Sequence, residues 1–137
     1  MKRCKLTTRM GLFSTSSVID YIEYGLNTDE LSITFNNNAY RLATTQVFRD
    51  ASAWYHVIFS IDTTQATSAD RVKIYINGNQ VTTFNTANYP IQNYDCVSFN
   101  TATAHYIGAD YGLTAGQYFD GYLADIYFID GQALTPT

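Results

Sequence analysis

The sequence predicts an all-β fold, a two-sheet antiparallel sandwich of jelly-roll kind, and three observations carry that expectation. The chain of 137 residues holds 12 Tyr and 8 Phe against only 2 Pro, and aromatic and β-branched residues suit a half-buried pleated surface. Short apolar runs recur with a period of two, and no stretch of twelve residues keeps a 3.6-residue apolar period. Clusters of Asn, Gly and Asp separate those runs at short intervals. No repeat or linker divides the chain, and a 15.4 kDa fold hides roughly two-thirds of the surface its unfolded chain exposes, enough for one core without a bridge or a metal. Without helices to make parallel crossovers, the strands must run antiparallel.

In chain order, Val18 to Leu26 and Leu31 to Phe35 are strand-like, joined by Asn27-Thr28-Asp29-Glu30. Tyr40 to Val47 follows the turn Asn36-Asn37-Asn38, residues that tolerate left-handed backbone. Trp54 to Ile61 puts Val57, Phe59 and Ile61 on one face with His56, Ile58 and Ser60 on the other. So apolar a run predicts a central strand covered on both sides. Arg71 to Phe84 reads as a hairpin. Val72, Ile74 and Ile76 alternate with Lys73 and Tyr75, Asn77-Gly78 makes the tight turn, and Val81 and Thr83 begin the return. Ala104 to Ala109 and Gly121 to Ile129 complete the set, the latter with Ala124, Ile126 and Phe128 toward the core and Asp125 and Tyr127 outward. The connections 62–70 and 85–100 are read as long polar loops, of a length that commonly carries function.

The formal charge of −4 hides an asymmetry. Lys2, Arg3, Lys5 and Arg9 supply four of eight basic residues, leaving four basic and twelve acidic groups, net −8, for the remainder. A body of that sign repels phosphate, which disfavours nucleic-acid binding by the fold itself and leaves only the amino-terminal arm to attempt it. Residues 1–9 are therefore expected to form a basic amino-terminal arm or strand end offered to a protein partner, and 10–137 the sandwich. Leu6-Thr7-Thr8-Arg9 is polar where a signal peptide would be apolar. No run of about 20 apolar residues predicts a membrane span. Cys4 and Cys96 lack C-x-x-C spacing and are expected as free thiols. No Asn-x-Ser/Thr acceptor occurs, which disfavours a glycosylated extracellular protein.

No catalytic constellation emerges, and none is assigned. His56 and His105 belong to no closely spaced ligand set and are read as half-buried strand residues. The only glutamates, Glu23 and Glu30, have no acid two residues away on the same strand face, so a glycosidase pair is not supported. Asp62, Asp70, Asn93, Asp95, Asn100 and Asp110 offer oxygens for calcium but in no ordered motif, and no metal or cofactor is assigned. Tyrosines beside loops, Tyr89, Tyr94, Tyr111 and Tyr118, offer a flat apolar face with a hydroxyl, suited to sugar rings and to protein interfaces alike. Asn93, Tyr94, Asp110 and Tyr111 are the candidate ligand-binding set, expected on loops at one end of the sandwich.

The segments Trp54-Tyr55-His56-Val57, Val72-Lys73-Ile74-Tyr75-Ile76-Asn77-Gly78, Ile107-Gly108 and Phe119-Asp120-Gly121-Tyr122-Leu123-Ala124-Asp125-Ile126, in that order and spacing, resemble the laminin-G-like branch of the concanavalin A-like jelly rolls. The resemblance covers about residues 10–134. The ending Phe128-Ile129-Asp130-Gly131-Gln132-Ala133-Leu134 is similar to versions in tailed-phage and marine viral structural proteins. The resemblance implies a non-enzymatic virion structural protein, a capsid decoration or a tail or fibre component made in the host cytoplasm. Its partners would be other virion proteins or further copies of itself, met through a sheet edge and the basic residues Lys2, Arg3, Lys5 and Arg9. The alternative it implies is a glycan-binding adhesion module for host-surface carbohydrate. Glycosidases of this fold carry a closely spaced acidic signature that is missing here. Relatives usually begin with a tryptophan-bearing strand whose end corresponds to Met1-Lys2-Arg3, so the sandwich is expected to be short of its first edge strand.

Overall fold

The computed structural model describes residues 1–16, 20–25, 27–113, 115 and 117–136. The strands are β1 (Lys2–Arg3), β2 (Met10–Thr15), β3 (Tyr21–Tyr24), β4 (Glu30–Phe35), β5 (Tyr40–Val47), β6 (Val57–Ile61), β7 (Val72–Ile76), β8 (Asn79–Gln80), β9 (Phe84–Asn88), β10 (His105–Ile107) and β11 (Gly121–Tyr122), with one helical turn, α1 (Ser68–Arg71). Six strands form one antiparallel sheet in the order β10-β2-β3-β4-β5-β9. Opposite it, β6-β7-β8 and the pair β1-β11 form two smaller ladders. Reciprocal bonds join these ladders into one layer, because the Met1 amino group donates to Tyr55 O at 2.7 Å and the Tyr55 N–H donates to Met1 O at 2.8 Å.

The core lies between the layers. Register places Ile22, Tyr24, Leu31, Ile33 and Leu42 on the inner face of the large sheet, against Val72, Ile74 and Ile76 of β7, with Phe48 and Phe99 closing the sides. Each such side chain contributes roughly 1.5–3 kcal/mol by leaving water. Phe48 adds edge contacts to Tyr24 and Tyr55, with ring centroids 5.6 and 5.1 Å apart.

Several elements fall where the residues predict. Tyr40–Val47 is a strand over the expected span, entered through Asn36, Asn37 and Asn38 at φ 49°, 52° and 69°. The β7–β8 hairpin turns on Asn77 and Gly78, φ 50° and 83°, although its ladder closes at Gln80 with Val81 still bonded to Ile74 O. Of the span 18–26, β3 takes Tyr21–Tyr24, while Val18, Ile19 and Leu26 lie outside the described residues. The span 104–109 narrows to β10.

Other expectations need correction. β2 was not foreseen, because its residues are buried on both faces and show no alternation. The connection 85–100 begins as strand β9, which pairs with β5 through its backbone, supported by the Asn85 and Asn88 amides donating to Thr44 O and Ala39 O, and the connection 62–70 ends in α1. β6 is not central in its ladder, since among the described residues it pairs with β7 only. Only Gly121–Tyr122 of the last predicted strand is paired, with β1. Ala124, Ile126 and Phe128 are exposed, not buried, because among the described residues no strand pairs with the chain beyond Tyr122. His56 and His105 are exposed as well.

Candidate functional site

The outer face of the six-stranded sheet is as enclosed as the inner one, yet polar. Register aligns Tyr21 with Thr34 and Arg41, and Glu23 with Ser32 and Ala43. Ser32 and Thr34 are completely buried beneath long side chains and a folded-over segment. Arg41 reaches across Ser32 to Glu30 Oε1, both contacts at 3.4 Å. Arg9 forms an ion pair with Glu23, and its guanidinium lies 5.5 and 5.7 Å from the ring centres of Tyr21 and Tyr111. The segment from Gly108 folds over the end of β2, bonding through Gly108 N–H to Leu12 O at 2.9 Å and Ser14 Oγ to Ala109 O at 2.9 Å. Gly11 permits this approach, because any Cβ there would collide with the backbone of Ala109 and Asp110.

Electrostatics follow from that enclosure. Burial pushes the Glu23 carboxyl up, Arg9 and Arg41 pull it back, Asp110 adds to the rise, and the net shift is upward. Burial alone would lower Arg9, but Glu23 outweighs it and the guanidinium is held more firmly charged. Each glutamate of the layer thus faces an arginine. Two neighbouring atoms in register are buried with no hydrogen-bond partner, Thr34 Oγ1 and Arg41 Nε, and an unmet buried polar atom costs about 1–3 kcal/mol.

The expected ligand set is divided by the sheet. Tyr94 packs on the core side, its ring 5.0 Å from Tyr40 and 6.3 Å from Phe35, and burial first, then Asp20, pushes its hydroxyl up to about 12. Exposed Asn93 sits beside it with φ 58°. Asp110 is buried, and Tyr111 packs on Tyr21, 5.8 Å between centres, on the outer side. Asn93 with Tyr94 and Asp110 with Tyr111 therefore form two separate places, and a single four-residue site is corrected by the sheet between them. Arg9, Thr34 and Arg41 were missed as companions of Tyr111, because alternating polar residues on a strand read as a solvent face.

The basic amino-terminal residues are also divided. Arg3 is 1% exposed, donating to Asp29 Oδ1 and Phe48 O at 2.9 Å each, with the Tyr24 ring centre 4.0 Å away. It is structural, and so unavailable to a partner. Arg9 is spent on Glu23. Lys2 is half-buried over the Tyr122 ring at 6.0 Å, and Lys5 is exposed. Residues 1–9 are accordingly a strand end woven into the fold, not a free arm. Cys4 and Cys96 are both unbridged. Among the described residues no three His, Cys, Asp or Glu side chains gather as a metal site. Of the calcium candidates, Asp62 bonds Thr64 and Gln65, and Asp70 pairs with Lys73.

Two antiparallel layers around a single core define an all-β sandwich domain of concanavalin A-like type. The chain belongs to the concanavalin A-like lectin/glucanases superfamily, residues 2–137 matching its laminin-G-type family model. No curated protein and no solved structure matches the chain.

Proposed function

We propose that this domain is a non-catalytic structural module of a virion, in a capsid decoration or a tail fibre, that works by pairing a sheet edge with a neighbouring protein. The observation that carries the reading is β6, an apolar strand in the smaller layer that, among the described residues, pairs with β7 alone. An unpaired edge presents rows of backbone donors and acceptors that another chain can complete. The similarity of residues 128–134 to phage and marine viral structural proteins supports the virion setting. With Arg3 and Arg9 engaged internally, Lys2 and Lys5 are left as the outward cations, so attachment through the edge is less sensitive to salt than an exposed basic arm would make it. The test is peptide mass spectrometry and cryo-electron microscopy of purified particles. The chain is expected as a stoichiometric virion component, and its absence from intact particles refutes the reading.

A second reading, glycan binding, is favoured by the half-buried Tyr111 ring, which packs on Tyr21 with the Arg9 guanidinium 5.7 Å from its centre and Arg41 in register beside Tyr21. Saturable binding on a glycan array that is lost in Arg41→Ala and Tyr111→Ala supports it. Silence across the array, or binding that both variants keep, removes it.

A further inference from the structure

Asn77 is the one asparagine of the chain that is followed by glycine, and it sits at the tip of the β7–β8 hairpin. The turn, closed by Ile76 opposite Asn79, holds Asn77 at φ 50° and Gly78 at φ 83°, the left-handed pair that a two-residue hairpin demands. Both residues are exposed, and nothing lies within 4 Å of the point where a side chain on Gly78 would begin. Water and base therefore reach the Gly78 N–H without obstruction. At the other asparagines the next residue carries a side chain, Thr28, Asn37 and Tyr94 among them, which crowds the same nitrogen.

Those are the conditions for a ring closure that needs no enzyme and no cofactor, the reaction that makes asparagine a thermolabile residue. The Gly78 nitrogen gives its proton to solvent base and attacks Cγ of Asn77. The bond from Cγ to the side-chain nitrogen breaks, ammonia leaves with a proton from solvent, and a five-membered cyclic imide remains. Water then opens the ring. Cleavage between Cγ and the Gly78 nitrogen leaves aspartate, whereas cleavage between the Asn77 backbone carbonyl carbon and that nitrogen leaves isoaspartate, with one more methylene in the main chain. Nothing is oxidised or reduced. Asp120-Gly121 and Asp130-Gly131 are poorer candidates, because an ionised carboxylate resists attack by nitrogen.

A contact with the start of β6 opposes the closure. The His56 N–H donates to Asn77 Oδ1 at 2.8 Å, and the Asn77 N–H donates to His56 O at 2.8 Å. One residue thus grips both the main chain and the side chain of Asn77. We infer that Asn77 is a site of spontaneous deamidation whose rate is set by the hydrogen bond from the His56 N–H, since Cγ reaches the Gly78 nitrogen only when Oδ1 is released. The two products differ in consequence. Aspartate keeps an acceptor for the His56 N–H. Isoaspartate lengthens a turn that two residues must close, so Ile76 and Asn79 lose their register, and with it go β8 and the bond from the Val81 N–H to Ile74 O.

The experiment incubates the full chain in mildly alkaline buffer, folded and in concentrated urea, and follows every asparagine by peptide mass spectrometry, with an isoaspartyl methyltransferase to separate the two products. In urea Asn77 is expected to convert ahead of every other asparagine, and in the folded chain to convert at least about tenfold more slowly than in urea. His56→Pro, which removes the N–H and keeps the carbonyl, is expected to restore most of the lost rate, while His56→Ala, which keeps the N–H, leaves it at the folded value. A measure without any variant is amide exchange at His56: urea too dilute to unfold the chain should speed that exchange and the conversion of Asn77 together. Another asparagine converting first in urea overturns the site. Equal rates with and without urea, a folded His56→Pro no faster than His56→Ala, or His56 exchange that rises without conversion overturns the control by His56. The purified isoaspartate form is expected to exchange its Val81 amide at least about tenfold faster than the unmodified chain, and an unchanged rate overturns the loss of β8.

Discussion

Replacing Asp29 with Asn is expected to lower stability by about 3 kcal/mol, because it takes the charge from the centre of a buried ionic knot while keeping its shape. Asp29 is fully buried and its backbone is left-handed, φ 54°, a conformation Asn adopts easily. Oδ1 accepts from Arg3 Nη2 at 2.9 Å and from the Thr7 N–H at 2.7 Å, and Oδ2 accepts from Arg49 Nε at 3.1 Å. The amide keeps its oxygen on Arg3 and the Thr7 N–H, but its NH2 group then faces the Arg49 guanidinium, and the buried Arg3 charge loses its counter-charge. Breaking one side of a buried pair costs about 3–5 kcal/mol, and the surviving acceptor offsets part of it. Urea unfolding followed by circular dichroism should show the midpoint falling by about 1–2 M. The loss also carries a pH signature. Burial alone would raise the Asp29 carboxyl, but the Thr7, Arg49 and Arg3 contacts outweigh it and hold it below the ordinary carboxylate range. A depressed carboxylate stabilises the fold fully above its unfolded pKa and loses that contribution as pH falls through the folded value. The gap between wild type and variant should thus be whole at pH 7 and shrink below about pH 4. A loss under about 1 kcal/mol at pH 7, or a gap that widens in acid, would falsify the ionic account of this knot.

Three other perturbations probe separate parts of the fold. Burial, then Asp20 and Asp95, push the Cys96 thiol up to about 12, so at pH 8 a disulfide reagent should modify exposed Cys4 at least about 100-fold faster than Cys96, and equal rates would contradict the packing around Cys96. Gly11→Ala sets a methyl group against the backbone of Ala109 and Asp110 and should cost about 3 kcal/mol or more by lifting that segment from β2; a thermal midpoint within about 2 °C of wild type would show the contact to be loose. Asp20→Ala strips the acceptor from the N–H groups of Asn36, Ser98 and Phe99, at 3.0, 2.8 and 3.3 Å, and should cost about 3–4 kcal/mol by chemical denaturation, whereas a loss under about 1 kcal/mol would mean those groups find water instead.

The parts of the fold legible in the residues are those whose cause is local. Asn77-Gly78 and Asn36-Asn37-Asn38 select left-handed turns by their own chemistry, and the strands beside them fall where expected. β2 and β9 were invisible for opposite reasons, the first enclosed on both faces and the second exposed along most of its length, so neither alternates. Residues 123–129 do alternate, yet periodicity states which face a strand would bury and says nothing of whether a neighbour is there to pair with it. Arg3 shows the same limit at the candidate sites. Its charge reads as surface, and only Asp29, 26 positions away, makes it interior. Tyr111 follows Asp110 in the chain, whereas Arg9 beside its ring, and Thr34 and Arg41 in register with Tyr21, come from distant parts of the chain that only the fold brings together.

All six residues of β4 are buried, flanked by β3 and β5 and covered above and below. Its amides should therefore open only when the whole molecule does, while the rim breathes far more often. Local fraying at the margin and loss of the whole fold are thereby separate events in one small body.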